Sequence, residues 1–405
     1  MGLTVNQADH LRTFEELLDG VRAEGRYRRF TNLTRTLGRS PYVEIDGREV
    51  VDWCSNDYLG MSMHPAVIEA TVAAVSTHGV GSGGTRNIGG SHELIGELEE
   101  ELADLHGKER ALVFTSGFVA NDASLRAIGS LLPGCVILSD ERNHASMIDG
   151  IRHSTAERLI FRHSDPDHLR QLLAGLDPAR PKLVAFESIY SMDGDVAPLG
   201  ELCAVASEFG ALTYLDETHA AGLCGGEGAG VAQHLGLEQQ VTVVQGSLAK
   251  GYGVIGGFIA GPGALVDCVR SFGSGFIFTT SIPPAIAAGA LVSVRHLRAS
   301  AVEREAHQQR IAALRAGLAA AHVPVMANDS HIVPVMVGDA ERCRAVAQTL
   351  LDDHAIYVQP INYPSVPRGT ERLRIAPTPL HTDAMIGDLV AALTSLRPHL
   401  ASSPR

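Results

Sequence analysis

The segment Gln245-Gly246-Ser247-Leu248-Ala249-Lys250-Gly251-Tyr252-Gly253 sets one lysine in an uncharged, glycine-rich turn between two apolar runs, residues 241–244 and 254–260. Both runs read as buried strands, so the Lys250 amine is expected to project inward from a loop. Desolvation lowers an amine's pKa, and a neutral amine attacks carbonyl carbon to form a Schiff base. Only three lysines occur in the chain. Lys108, in Gly107-Lys108-Glu109-Arg110, and Lys182, after Pro181, read as solvated flanks of structural elements. Taken alone, Lys250 also fits a lysine that snorkels to solvent. The pattern around it decides between the two.

Upstream of this turn the chain alternates. Strands are expected at 110–114, 136–138, 158–161, 183–186 and 212–215, with helices from 117 to 131 and beginning near His144, Pro166 and Pro198. Repeated β–α units with apolar strands predict an α/β fold whose mostly parallel sheet is covered on both faces. Functional residues of such sheets gather beyond the strand C-terminal ends. Those ends carry Ser116-Gly117, Ser139-Asp140 with Asn143-His144, Glu187-Ser188, Asp216 with His219, and Ser247 with Lys250.

Further upstream, residues 11–30 have helical periodicity, 49–53 read as a strand, and 65–78 and 91–106 as helices. The run 79–90 contains a G-x-G-x-x-G spacing, but a helix precedes it and no strand-end acid follows, so a nicotinamide fingerprint is poorly supported. Downstream, Pro283-Pro284 opens a helix running toward His322, and strands near 331–337 and 373–375 with helices at 341–353 and 383–396 make a smaller α+β unit. The proline-rich run 359–369 is expected to be a semi-rigid loop able to close over a site. The expected organisation is an N-terminal helical segment (1–48), a large domain (49–290) and a C-terminal small domain (291–405).

Composition sets outer bounds. The net charge of −13 argues against a nucleic-acid binder. The six scattered cysteines have no metal-type spacing and read as reduced thiols, so no metal is expected. No apolar run reaches membrane-spanning length and no targeting pattern opens the chain, so a cytoplasmic protein without a membrane partner is expected.

The strand-end set fits pyridoxal 5′-phosphate, which needs a lysine for its aldehyde, a carboxylate at its ring nitrogen, a phosphate cradle and a flat group against its ring. Lys250 would take the aldehyde and Asp216 the ring nitrogen. His144 would stack on the ring, His219 would bond its hydroxyl and share in catalysis with Lys250, and Glu187, among the same strand ends, is expected to be a cofactor-binding residue. Ser116, Gly117 and Phe118, opening a helix after a strand, would hold the phosphate with Ser247. Any one of these residues alone also reads as a cap or a satisfied polar group. Their order along the strand ends is what carries the inference.

The residues also carry a family resemblance. Glu24-Gly25-Arg26-Tyr27-Arg28, Trp53-Cys54-Ser55-Asn56-Asp57-Tyr58-Leu59-Gly60-Met61, Gly84-Thr85-Arg86-Asn87-Ile88, Asn143-His144-Ala145-Ser146-Met147-Ile148, Ser191-Met192-Asp193-Gly194 and Val366-Pro367-Arg368-Gly369-Thr370-Glu371-Arg372-Leu373-Arg374 span nearly the whole chain. They resemble the α-oxoamine synthases, within the aspartate-aminotransferase-like fold (type I) of pyridoxal-phosphate enzymes, and among these the 5-aminolevulinate synthases. The resemblance implies condensation of glycine with succinyl-CoA by a homodimer with shared active sites. It implies that Lys250 is both cofactor lysine and proton carrier, and that Arg374, with Asn56 nearby, binds the glycine carboxylate. It further implies that Arg28, Thr85 and Asn87 read the succinyl carboxylate. Ser139, Arg158 and Ser365 fall at other substrate or CoA positions, Ser191 at a cofactor contact, and Thr279 and Thr280 at the neighbouring subunit's phosphate.

Departures from the family pattern include Thr218 for the usual valine, Gly89-Gly90-Ser91 for Ser-Gly-Thr, Ser365 for threonine and Arg158 for lysine. Two readings stand beside the leading one: a related α-oxoamine synthase using another acyl-CoA or amino acid, and a nicotinamide oxidoreductase or binding protein built on the 79–84 loop.

Overall fold

The computed structural model describes residues 5–24, 26, 27 and 30–401. Helix α1 (Val5–Ala23) is followed by a hairpin, β1 (Tyr42–Ile45) and β2 (Arg48–Asp52), and then by α2 (Pro65–His78) and α3 (Glu93–Leu105). The alternating section follows as β3 (Arg110–Phe114), α4 (Gly117–Leu131), β4 (Val136–Asp140), α5 (Ala145–His153), β5 (Glu157–Phe161), α6 (Pro166–Ala174), β6 (Lys182–Glu187), α7 (Leu199–Glu208), β7 (Leu212–Asp216), α8 (Val231–Leu235) and β8 (Val243–Ser247). After β9 (Gly257–Gly261) come α9 (Gly263–Phe272), α10 (Ser274–Ile277), α11 (Pro284–Ala299) and α12 (Val302–Ala320). The chain ends with β10 (Val333–Met336), α13 (Ala340–His354), β11 (Ile356–Tyr357), β12 (Pro360–Ile361), β13 (Arg372–Ile375) and α14 (Asp383–Ser395).

The seven-stranded sheet has the order β3-β9-β8-β7-β6-β4-β5. Strands β4 to β8 pair in parallel, while β9 runs antiparallel between β8 and β3. Every residue of β4, β6, β8 and β9 is buried, as expected of strands covered by helices on both faces. The expected mostly parallel α/β sheet is therefore present.

Strand β2 pairs with β1 and also, in parallel, with β11, while β13 lies between β10 and β12. These two three-stranded sheets surround a core built on Trp53, Val335, Leu350, Leu373 and Leu389. The expected boundaries at 48/49 and 290/291 thus fall inside the β1–β2 hairpin and inside α11.

Several local expectations change. The N-terminal helix starts earlier than 11 and stops at Ala23, so the basic run beginning at Arg26 lies beyond it. The helix expected through His322 is broken into α11 and α12 at Ser300, whose backbone is extended. Lys182 is not a solvated flank: it is buried at the start of β6, where its ammonium donates to the Pro178 and Arg180 carbonyls, each at 2.9 Å. Lys108 is likewise enclosed, donating to the Glu238 and Val241 carbonyls at 2.7 and 2.5 Å.

Candidate active site

The turn after β8 packs against the loop after β2. Gly253 has φ +67°, and a Cβ there would lie 2.3 Å from the Ser62 backbone nitrogen. This close packing brings residues 55–62 to the C-terminal edge of the main sheet. Strand β13 contributes Arg374 to the same place.

The Lys250 amine lies 2.7 Å from His219 Nε2, and His219 Nδ1 lies 2.9 Å from the Tyr58 hydroxyl. Arg374 donates through Nη2 to that hydroxyl at 2.7 Å, through Nη1 to Asn56 Oδ1 at 3.2 Å and through Nε to the Ser191 carbonyl at 2.7 Å. Tyr58 is in turn 3.0 Å from Asn56 Oδ1. One phenolic proton serves two acceptors, so the chain of bonds closes in two ways. When the Tyr58 O–H donates to Asn56 Oδ1, His219 Nδ1–H donates to Tyr58 and Nε2 accepts from the Lys250 amine. When the Tyr58 O–H donates to His219 Nδ1, the Nε2–H donates to a neutral Lys250. The network therefore accommodates both protonation states of the lysine.

Electrostatics brings the neutral state into balance with the charged one near neutral pH. The Lys250 residue keeps some exposed surface, but protein surrounds its amine closely. Burial, then the Arg374 charge, push its pKa down to about 7, against the opposing pull of Asp216 and Glu187. The same burial, with Lys250 and Arg374 nearby, holds the His219 imidazole well below its ordinary range and hence neutral. Glu187 is driven well above the carboxylate range by burial and by Asp216, and accepts the His144 backbone N–H at 2.6 Å.

Asp216, at the end of β7 and 4% exposed, accepts from Asn121 Nδ2 at 2.7 Å and from the Thr218 N–H at 2.8 Å. A carboxylate has about four acceptor positions, so Asp216 retains capacity for another donor. His144 caps α5, and burial lowers its pKa. Its ring meets Phe118 edge-on at 6.4 Å. Ser116 caps α4. A Cβ at Gly117 would lie 3.3 Å from that of Ser247, so the α4 N-terminus and the end of β8 form a tight cradle. The Ser247 hydroxyl accepts from the Ala249 N–H at 3.1 Å. The Thr218 hydroxyl donates to Gln245 Oε1 at 3.1 Å, a bond that valine could not make.

These residues fit pyridoxal phosphate by their chemistry: an amine poised for an aldehyde, a buried acid with spare acceptor capacity, and a helix N-terminus at a glycine where any larger residue would crowd the cradle.

Other predicted site residues stand apart. Thr85 bridges Thr280, and Ser281 donates its N–H to the Gly84 carbonyl at 2.9 Å, which joins these two segments; Asn87 and Thr280 are exposed there, while Thr85 and Thr279 are half-buried. Ser139 is 6% exposed, and its hydroxyl is committed to Asn143 and to the Asp140 carbonyl. Arg158 is the second residue of the edge strand β5, near its N-terminal end and four strands from β8, or roughly 19 Å at ordinary strand spacing. The structure does not bring it to the Lys250 group. Ser365 is exposed in the 359–369 loop, and Arg28 lies outside the described residues. That loop is tied to the segment preceding Arg28: Arg368 pairs with Glu24 at 3.1 Å, and Arg26 and Arg368 both lie over the Tyr363 ring.

Sequence reasoning gave no role to Tyr58, Asn121 or Gln245. An asparagine inside the first turns of a helix is a poor helix former and was a readable signal for Asn121. Tyr58 had only its place in the polar turn after β2.

Comparison with known proteins agrees with this geometry. Residues 48–393 match the aminotransferase class I and II family. The chain is 55% identical over 387 residues to the 5-aminolevulinate synthase of Rhizobium meliloti, covering 95% of this chain and 96% of the relative. It is 52% identical over 388 residues to 5-aminolevulinate synthase 2 of Cereibacter sphaeroides, covering 95% of each. Among solved structures, the serine palmitoyltransferase of S. paucimobilis with a bound PLP–myriocin aldimine superposes with a TM-score of 0.87 at 33% identity, over 95% of this chain and 97% of that one. The chain therefore belongs to the class I and II aminotransferase family and, within it, to the 5-aminolevulinate synthases.

Proposed function

We propose that this chain condenses glycine with succinyl-CoA to 5-aminolevulinate, releasing CoA and CO2, with pyridoxal 5′-phosphate carried on Lys250. The observation that supports this best is the Arg374–Asn56–Tyr58 group joined directly to the Lys250–His219 pair. It provides a carboxylate site next to a neutral amine.

When bound, pyridoxal phosphate supplies an aldehyde and a ring that takes up the electron pair of a broken bond at the amino acid Cα. Asp216 would hold a proton on the ring nitrogen. Ser116, Gly117, Phe118 and Ser247 would cradle the phosphate, His144 would lie against the ring, and Glu187 and Ser191 would complete the cofactor-binding set. Arg374 and Asn56 receive the glycine carboxylate and thereby aim its Cα at Lys250. A lysine amine with a pKa near 7 takes the Cα proton at neutral pH and can return one later in the cycle. His219, held through Nδ1 by Tyr58, would turn its Nε2 from the Lys250 amine to the ring hydroxyl once the amine is engaged with the cofactor.

Arg28, Thr85 and Asn87 are assigned to the distal succinyl carboxylate, Ser365 and Ser139 to the remaining acyl-CoA contacts, and Arg158 to an outer portion of CoA. Thr85, Asn87, Thr279 and Thr280 lie beside Ile88 and Phe278, which are 73% and 81% exposed. Such apolar exposure suits an interface between two copies. We accordingly assign a homodimer in which each protomer presents Thr279 and Thr280 to its partner's phosphate cradle. Helix α1 exposes Leu11, Phe14, Leu17 and Leu18 and adds further apolar surface. Among the described residues no helix is long and apolar enough to cross a membrane. We assign the enzyme to the cytoplasm.

The test offers glycine with an equimolar mixture of succinyl-, acetyl-, malonyl- and long-chain acyl-CoA and identifies the product by mass spectrometry. Dominant 5-aminolevulinate is expected. A different aminoketone would overturn the assignment of Arg28, Thr85 and Asn87.

A further inference from the structure

A second group of ligating side chains lies away from the active site. His64 precedes α2, His296 lies in the last turn of α11, and Glu303 in the first turn of α12. One ligand atom from each lies within 4.8 Å of the other two. The imidazole rings approach to 4.3 Å between centroids, and His296 Nε2 is 2.7 Å from Glu303 Oε1. Ser300 donates to the other Glu303 oxygen at 2.8 Å, which fixes the carboxylate and leaves Oε1 facing the histidines.

His64 Nδ1 is buried and has no hydrogen-bond partner. An orphaned buried nitrogen beside an oriented histidine–carboxylate pair calls for a water or an ion. The neighbouring cations do not fill that role: Arg295 and Arg298 turn to Glu101, and Arg304 donates to the Leu297 and Gly226 carbonyls. The His296 and Glu303 side chains are 28% and 18% exposed, so an ion here could keep a water ligand.

We propose that His64, His296 and Glu303 form a binding site for a divalent transition-metal ion of the zinc class. Two imidazoles, one carboxylate and an open position make a familiar zinc donor set. Binding replaces the His296–Glu303 hydrogen bond: the Nε2 proton of the neutral imidazole passes by way of solvent to Nδ1, so that the freed Nε2 lone pair ligates the ion as a neutral base with no net proton release. The ion would tie the residue preceding α2, six positions after Tyr58, to the break between α11 and α12. Its role is a staple between the loop that carries Asn56 and the helices leading into the C-terminal part of the chain.

The exposed group His78, His92 and Glu93 is an internal control, since His92 Nδ1 is already engaged as the cap of α3. Holoenzyme stripped of adventitious metal with a chelator and desalted is titrated with zinc sulfate by calorimetry. One ion per chain is expected, with affinity lowered by at least about tenfold in His64→Gln and in His296→Gln and unchanged in His78→Asn. Zinc should raise the melting temperature of the wild type but not of His296→Gln. X-ray absorption of the wild-type zinc form, which needs no variant to fold, should show nitrogen and oxygen ligands at about 2.0–2.1 Å. Absence of a saturable site, binding undiminished in both His64→Gln and His296→Gln, loss confined to His78→Asn, or a sulfur shell would each overturn the proposal.

Discussion

Lys182 and Lys250 stand at opposite edges of one sheet, and both bring an amine into the body of the protein. Lys182 opens β6 and meets two carbonyl oxygens, so the partial negative charge of the backbone compensates its ammonium. Lys250 follows β8 and meets a neutral imidazole, with a guanidinium close by. Burial is thus common to both, and the difference lies in what the edge offers. At the strand C-terminal edge, where loops from distant parts of the chain converge, the hydrogen-bond partner of the Lys250 amine is an imidazole nitrogen, and the Asp216 and Glu187 carboxylates only partly offset burial and the Arg374 charge. There the neutral amine is accessible near pH 7, and with it nucleophilic and proton-transfer chemistry.

The contrast is broken most severely by exchanging the two lysines' fates. Lys250→Ala should lower turnover by at least about 10³-fold, since nucleophile and proton carrier are lost together, while the phosphate cradle still retains cofactor. Lys182→Met should leave kcat within about twofold and cost about 1–3 kcal/mol in denaturant unfolding, through two unpaired carbonyls. Turnover of Lys250→Ala near the wild-type rate would place the chemistry elsewhere.

Removing the guanidinium comes next. Arg374→Ala should raise the KM for glycine by roughly 10–150-fold, the equivalent of a charge-assisted bond worth about 1.5–3 kcal/mol, with a smaller change for succinyl-CoA. Steady-state kinetics with each substrate varied separately checks this.

The pH dependence follows from the same environment. Cofactor uptake by the apoenzyme requires the neutral Lys250 amine, so its rate should rise with pH through about 7 and level off above it. Because the folded value lies below the ordinary 10.5, the unfolded chain binds the extra proton between about 7 and 10.5. Apoenzyme stability should therefore rise with pH across that window, and the rise should be smaller in Lys250→Met. Stopped-flow absorbance and pH-dependent melting read the two effects. A midpoint for uptake near 10 would mean that the amine is not desolvated.

The smallest effect sharpens the link between the two groups. Tyr58→Phe leaves Arg374 with Asn56 and Ser191 but removes the hydroxyl shared with His219. The KM for glycine should rise about five- to tenfold, or about 1–1.4 kcal/mol. An unchanged value would separate the carboxylate site from the Lys250–His219 pair.

The sheet was legible because its strands are buried on both faces and read as short apolar runs, and the strand-end rule then gathers Asp216, His219, Ser247 and Lys250 without further information. Arg374 and Asn56 could not be reached that way. They lie 318 positions apart and meet only because the β2 loop packs under the β8–β9 turn while β13 approaches from the C-terminal part. Family resemblance supplied them instead. Lys182 was misread because an apolar run beginning at Leu183 says nothing about carbonyls folding back over the preceding residue. The break between α11 and α12 escaped because neither proline nor glycine marks it. The His64, His296 and Glu303 group was invisible for a related reason: ligands drawn from three elements far apart in sequence leave no spacing motif.

The central claim, that only one of the three lysines stands where the cofactor can be held, is tested by borohydride reduction of the holoenzyme followed by peptide mapping. A single reduced pyridoxyl adduct is expected on Lys250, with Lys108 and Lys182 unmodified. An adduct on either of those two, or none on Lys250, would contradict it.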